Sequence, residues 1–378
     1  MPELHALISP SSSHRWLECP PSVRMSEKFE NRSSIAAKEG TAAHEKGEWK
    51  LRKFNREKVG PYPLSEFDSE EMEICTDGYE AFVIEMLHEA VKEHGGTYLY
   101  VERQVHFDNW IPEGFGTADA VLVSDDFFHV IDFKYGKGVL VEAKDNPQMK
   151  IYALGVIQEF GESYDFKTIK MSIYQPRINN VGTFEMSVDE LLDWAEHKVR
   201  PAAALAFEGK GELKTGEHCR FCLASPKCPA WAEAFSDIHK FSVIEPNLMS
   251  DEEINELLPK LAPTIAWANS VIEYAEKEAL AGKKWAGFKL VEGRSNRKYS
   301  DEGKVVAACK EAGYTDIYKR TLLSITDMEK LMGKKAFAET LGNLIVKPAG
   351  KLNLVPESDK RMAVDVSPAD KFNEIEGE

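Results

Sequence analysis

Nowhere in its 378 residues does the chain approach the run of roughly 18 apolar residues that a membrane span needs. Residues 1–11 carry neither the basic start nor the apolar stretch of a secretion signal. The expectation is a cytoplasmic protein with no membrane partner. A G-x-x-x-x-G-K-[ST] phosphate loop is also missing, which excludes a helicase motor of that type in this chain. Internal repeats are absent. Positive charge is scarce: 47 Lys and Arg face 63 Asp and Glu, for a net charge of −16, which excludes a protein that coats nucleic acid through bulk charge. Cysteine is scarce as well. Six of them in a reducing cytosol point to a metal site or free thiols rather than disulfides.

What is present is ordinary globular material, 43% hydrophobic and 29% charged, enough for one large domain or two ordinary ones. The acidity is uneven. Residues 283–351 hold 15 Lys and Arg against 8 Asp and Glu, a local +7, which leaves −23 for the remainder. Within that basic stretch Arg294, Arg297, Lys298, Lys319 and Arg320 are candidate DNA-phosphate contacts, with a solvated charged face as the plain alternative.

Periodicity predicts helices over 34–56 and 68–94, the second stopped by Gly95-Gly96. Strands are expected at 98–107, 117–123 and 127–133. The last two flank Ser124-Asp125-Asp126 and so form a hairpin, and Val139-Leu140-Val141 suggests a further short strand. Pro147 suits the first turn of a helix to about 160. A strand at 169–174 and a helix over 188–207 follow. The fold class is therefore α/β, a mixed sheet flanked by helices. Beyond the cysteine-rich segment the chain reads as mainly helical, with a long helix over 250–281 interrupted near Pro263 and a capping box at Thr326 and Glu329. The expected division is a core over 1–240, a helical accessory region over 241–350 and a disordered tail over 351–378.

Chemistry concentrates in the hairpin. Asp119 lies in its first strand, and Asp132 and Lys134 sit two apart at the end of its second, on one face by alternation. Adjacent strands can thus present two carboxylates to a hard divalent cation, with an ammonium beside them. The bland reading is a salt bridge at a strand end with two chance aspartates. Gln148 and Tyr152, four apart in the next helix, face the same way, and His44 on the early helix is a candidate nitrogen ligand.

A second constellation is Cys219-x₂-Cys222-x₅-Cys228, three thiols within ten residues. A closed zinc or iron–sulfur site needs a fourth ligand, for which His218, Cys19, Cys75 and Cys309 are candidates. Cys75 and Cys309 lie in helical patterns and read more simply as small buried apolar residues.

Taken in order, these pieces resemble the iron–sulfur branch of the RecB-type PD-(D/E)XK nucleases, which includes AddB-type helicase-nuclease subunits and CRISPR adaptation exonucleases. There a histidine helix, G-x-x-D, D-x-K and Q-x-x-x-Y follow one another. Here they correspond to His44, Gly116 to Asp119, Asp132 to Lys134, and Gln148 to Tyr152, over roughly residues 8 to 235. The resemblance implies a restriction-endonuclease-like core, with Mg²⁺ or Mn²⁺ held by His44, Asp119, Asp132 and the Phe133 carbonyl. It implies that Lys134 acts on the attacking water and that Gln148 and Tyr152 support the site. It further implies a [4Fe–4S] cluster on Cys19, Cys219, Cys222 and Cys228, acting as a structural staple. The full length also resembles an uncharacterised phage- and prophage-encoded family. The implied function is a DNA exonuclease or end-processing nuclease in phage replication or recombination in a bacterial host, partnered by DNA and replication or recombination proteins. Two alternatives stay open: a catalytically inactive DNA-binding or assembly module, and a zinc-stabilised binding protein whose aspartates are incidental.

Overall fold

The computed structural model describes residues 6–29, 34–239 and 250–289, together with 333, 336 and 337. The chain divides into two compact units, Met1–Lys283 and Lys284–Glu378. The first unit carries everything discussed below. Arg294, Arg297, Lys298, Lys319, Arg320, Cys309 and the Thr326–Glu329 capping box lie outside the described residues, as does most of the expected accessory region and tail.

Two short helices, α1 (Ser13–Trp16) and α2 (Ser22–Ser26), precede α3 (Ile35–Phe54) and α4 (Glu70–His94). Ser34 caps α3 and Ser69 caps α4, each accepting a hydrogen bond from a first-turn backbone N–H, and Gly95 ends α4 with φ 82°. The strands are β1 (Tyr98–His106), β2 (Phe115–Val123), β3 (Phe127–Phe133), β4 (Thr168–Gln175) and β5 (Asn180–Ser187), paired in that spatial order. All neighbours are antiparallel except β3 and β4, whose parallel pairing requires a crossover, and α5 (Pro147–Phe160) supplies it. Asn146 caps α5 and Pro147 takes its first turn, as the sequence predicts. Then come α6 (Val188–Trp194), α7 (Arg200–Glu208), α8 (Pro229–His239) and α9 (Asp251–Leu280).

The sheet is buried on both faces. Val121, Val123, Val130 and Met171 pack with Ile151 and Leu154 of α5, while Leu122, Ile131 and Phe133 pack with Met72, Tyr79 and Val83 of α4. Every residue of β3 is buried, so it reads as a continuous apolar run interrupted only by His129 and Asp132. Those two exceptions have different solutions. His129 contacts Ser172 Oγ through Nε2 at 2.7 Å, and Ser172 contacts Thr183 at 2.7 Å, which makes a polar bridge across three strands, buried at His129 and Ser172 and open at Thr183. Asp132 belongs to the site described below.

Alternation breaks on β1 and β2 at one matched place. Leu99 and Val101 lie in the α4-side cluster, yet Val105, of the same parity, lies in the α5-side cluster. On β2, Ala120 and Leu122 lie on the α4 side, and Ala118 of the same parity lies on the α5 side. The register nonetheless continues unshifted from Val101↔Ala120 to Arg103↔Ala118. Both strands therefore reverse their pleat together, around Glu102 (φ 46°) and Asp119. Positive φ is costly for a glutamate, and such strain collects at functional sites.

Four sequence expectations change. β5 is an additional strand that the sequence reading missed. Val139-Leu140-Val141 is a loop, because the Gln175 side chain takes its hydrogen bonds: Nε2 donates to the carbonyls of Gly136 and Val139, and Oε1 accepts from the Val141 N–H. The helix over 188–207 is divided by a π-helical turn at Ala195–Val199 just before Pro201, whose missing N–H breaks the regular ladder. Conversely, α9 runs through both Pro259 and Pro263. Four apart, the two prolines cost hydrogen bonds along a single stripe, and the other stripes carry the helix on.

The His129 bridge carries a pH signature. Burial, and then the nearby Lys170, lower its pKa from 6.5 to about 3. The folded state keeps His129 neutral while the unfolded chain binds a proton below pH 6.5. The stability it supports is thus complete above that pH and is lost progressively toward pH 3. Denaturant unfolding should show this histidine costing about 2 kcal/mol between pH 8 and pH 5, a difference that disappears in His129→Asn. An equal pH slope in both proteins would disprove it.

Candidate active site

Pairing of β2 with β3 ends at Ala120↔Ile131, one step before the two aspartates, so the strands part where the acids emerge. The Asp119 carboxylate is held on two sides. Oδ2 accepts from the Phe133 backbone N–H at 2.7 Å, and Oδ1 lies 3.5 Å from His44 Nδ1. Asp132 accepts from Lys134 Nζ at 3.0 Å on Oδ1, has the same ammonium 2.9 Å from Oδ2, and accepts from Gln148 Nε2 at 3.2 Å. Tyr152 hydrogen-bonds Gln148 and feels both aspartates. The structure therefore brings His44, Asp119, Asp132, Lys134, Gln148 and Tyr152 together.

It also adds a residue. One ligand atom each from His44, Glu102 and Asp119 lies within 4.8 Å of the others, the tightest arrangement for a cation among the described residues. Glu102 reaches this place only through the matched pleat reversal. Regular alternation would turn it toward α5, with Tyr100. The signal was an acid among strand residues, indistinguishable in sequence from a solvent-facing one.

The electrostatics are those of crowded anions. Burial and the neighbouring Asp119 push Glu102 up to about 8. Burial also raises Asp132, with Lys134 opposing it and Asp119 adding to the rise. Burial works against Asp119 too, but His44, Lys134 and the Phe133 N–H hold its pKa below the usual carboxylate value. His44, though desolvated, is raised to about 9 by Asp119. Burial lowers and the two aspartates raise the pKa of Lys134, and the net shift is upward, so it stays an ammonium.

Gly116, first residue of the G-x-x-D stretch, sits in close packing. A Cβ there would stand 3.0 Å from Tyr152 Cε1 and 3.2 Å from Pro10 Cγ. Its absence lets α5 and the N-terminal segment press against β2 directly beside Asp119.

The four cysteines Cys19, Cys219, Cys222 and Cys228 line one cavity between α1–α2 and the loop that precedes α8. No disulfide joins them. Among the described residues no three of their sulfurs fall within 4.8 Å of one another. A tetrathiolate zinc ion needs spacings of about 3.8 Å, from Zn–S bonds near 2.3 Å. Three buried polar atoms that find no hydrogen-bond partner, Arg15 Nε, Ser22 Oγ and Trp231 Nε1, belong to residues lining the same cavity. His218 hydrogen-bonds Cys19 and the Lys214 carbonyl, the latter at 3.0 Å.

Residues 5–362 match the family described as "Protein of unknown function (DUF2800)". The chain belongs to that family. The match takes in both the acid site and the cysteine cavity of this DUF2800 member. A solved structure described as "Crystal structure of SSO0001" is similar at 13% identity over 56% of this chain and 95% of that one, with a TM-score of 0.22. At that score the resemblance carries no argument, and the reading rests on the geometry above. No helix among the described residues is long and apolar enough to cross a membrane.

Proposed function

We propose that this DUF2800 chain is a divalent-metal-dependent DNA nuclease with a PD-(D/E)XK core of the RecB-type iron–sulfur branch. The observation that carries the reading is the convergence of Glu102, Asp119 and Asp132 with His44 and one fixed ammonium where β2 and β3 part. Acidic groups this close, Asp132 buried and Glu102 and Asp119 half-buried, disfavour one another's charge, as the raised pKa of Glu102 records, and a bound cation would relieve that cost. His44, Glu102 and Asp119 would hold Mg²⁺ or Mn²⁺, with Asp132 and the Phe133 carbonyl as the further ligands that the family resemblance implies. A cation bound there would neutralise charge on the phosphate and acidify a water molecule.

The protein's own groups divide the remaining work. Lys134 keeps its proton, so it cannot accept one from water; it stabilises negative charge that develops on the phosphoryl oxygens. Gln148 fixes the Asp132 carboxylate, and Tyr152, anchored through Gln148, walls the site on the α5 side. Phosphodiester hydrolysis at a DNA end, during phage or prophage replication or recombination in the host cytoplasm, is the activity this arrangement serves. Unwinding falls to another protein. The cysteines would hold a [4Fe–4S] cluster that staples the N-terminal segment to the end of the core.

The test uses purified full-length protein, labelled DNA and Mn²⁺ or Mg²⁺. Cleavage should need the metal, and Lys134→Ala should lower its rate by roughly 10²- to 10³-fold, the scale of losing one electrostatic stabiliser. Wild-type levels of cleavage by the variant would overturn the role of Lys134, and inert wild-type protein would overturn the nuclease reading.

A further inference from the structure

Two of the four cysteines stand in the same local frame. Cys19-Pro20-Pro21-Ser22 leads into α2, and Cys228-Pro229-Ala230-Trp231 leads into α8. In each, proline follows the cysteine and a side-chain donor comes three positions after it, in the first helical turn. Both donors, Ser22 (3% exposed) and Trp231 (6% exposed), are buried, line the cysteine cavity and have a polar atom without a partner. Arg15, one turn before Cys19, lines the cavity with its Nε likewise unmatched. A buried donor left without an acceptor is destabilising, so three at one cavity call for a shared acceptor. The flanking thiols do not take these bonds in the protein alone.

We infer that Arg15, Ser22 and Trp231 are positioning residues that donate hydrogen bonds to the sulfur atoms of the metal–sulfur group held by the four cysteines. The inference rests on the iron–sulfur reading and deepens it. A cluster carries inorganic sulfides as well as thiolates, all acceptors, and so offers several of them to the donors that line this cavity. Donors to these sulfurs stabilise the more negative, reduced cluster and so raise its reduction potential. They also replace solvent at the sulfur surface, which slows loss of the cluster.

The experiment reconstitutes the full-length chain anaerobically with iron and sulfide, then titrates its visible absorption against a potential. Trp231→Phe keeps the stacking against Trp267, and Ser22→Ala removes one oxygen only. Each variant should load fully, show a lower midpoint potential than wild type, and bleach several-fold faster in a chelator. Wild-type iron–sulfur stretching bands should shift on transfer to D₂O, and the shift should shrink in Ser22→Ala. This readout remains if Trp231→Phe fails to fold. Fully loaded variants with unchanged potentials, bleaching and isotope shifts would overturn the inference while sparing the cluster. A wild-type protein that takes up zinc and shows no band near 400 nm would instead overturn the iron–sulfur reading itself.

Discussion

Asp119→Asn is expected to abolish metal-dependent DNA cleavage, with a fall of at least about 10³-fold in rate, because it removes the one carboxylate shared by every part of the site. Asp119 meets His44, the Phe133 backbone and, through charge, Lys134, Glu102 and Asp132. The amide is nearly isosteric, and its oxygen can still accept from the Phe133 N–H, so the strand ends should keep their shape. Loss of activity would then report charge rather than collapse. Calorimetric titration with Mn²⁺ should show binding lost in step with cleavage. Glu102→Gln should do less, weakening metal affinity by roughly 10- to 100-fold, because His44, Asp119 and Asp132 remain to hold the cation. Undiminished cleavage by Asp119→Asn would remove the acid site from the proposal.

The second large effect concerns Cys19. Its substitution by Ala should lower stability by about 4 kcal/mol or more under anaerobic conditions, the magnitude associated with losing a structural metal site. Of the four cysteines proposed as ligands, Cys19 alone comes from the N-terminal segment, so a group bound to all four would close a loop of some two hundred residues. Without it, that segment keeps only direct packing and single bonds, such as Trp16 in the core and Arg24 Nε donating to the Phe207 carbonyl at 2.7 Å. Activity should suffer as well, because Pro10 lies against Gly116 at the edge of the acid site. Thermal melts of loaded wild type and Cys19→Ala measure this. Coincident transitions would show that the cysteines do not hold the fold together.

Legibility of the fold followed the strength of local signals. The β2–β3 hairpin, α5 with its Pro147 start, and α4 with its Gly95 stop were readable because apolar pattern and end signals agreed in each. β5 was not, since its exposure alternates only weakly and it begins beside Asn179 in the left-handed region, which reads as a turn. Val139–Val141 looked like a strand because propensity cannot see that Gln175, more than thirty residues away, satisfies that backbone. In the site, Asp119, Asp132, Lys134, Gln148 and His44 were named from order and spacing. Glu102 was beyond reach, for its meaning depends on a reversal of pleat that appears only when two strands are read together.

That reversal behaves like a frameshift and its suppressor. One inserted residue in β1 alone would put every later side chain on the wrong face, and the same is true of β2. Because both strands carry the insertion opposite one another, the error cancels at the next pair and the rest of the sheet reads in frame. Glu102 and Asp119 are thus joint occupants of a defect that neither strand could keep alone. Loss of either residue from the chain leaves its counterpart as an uncorrected shift, whereas loss of both restores an ordinary, chemically silent sheet. The positions of the two acids therefore depend on each other.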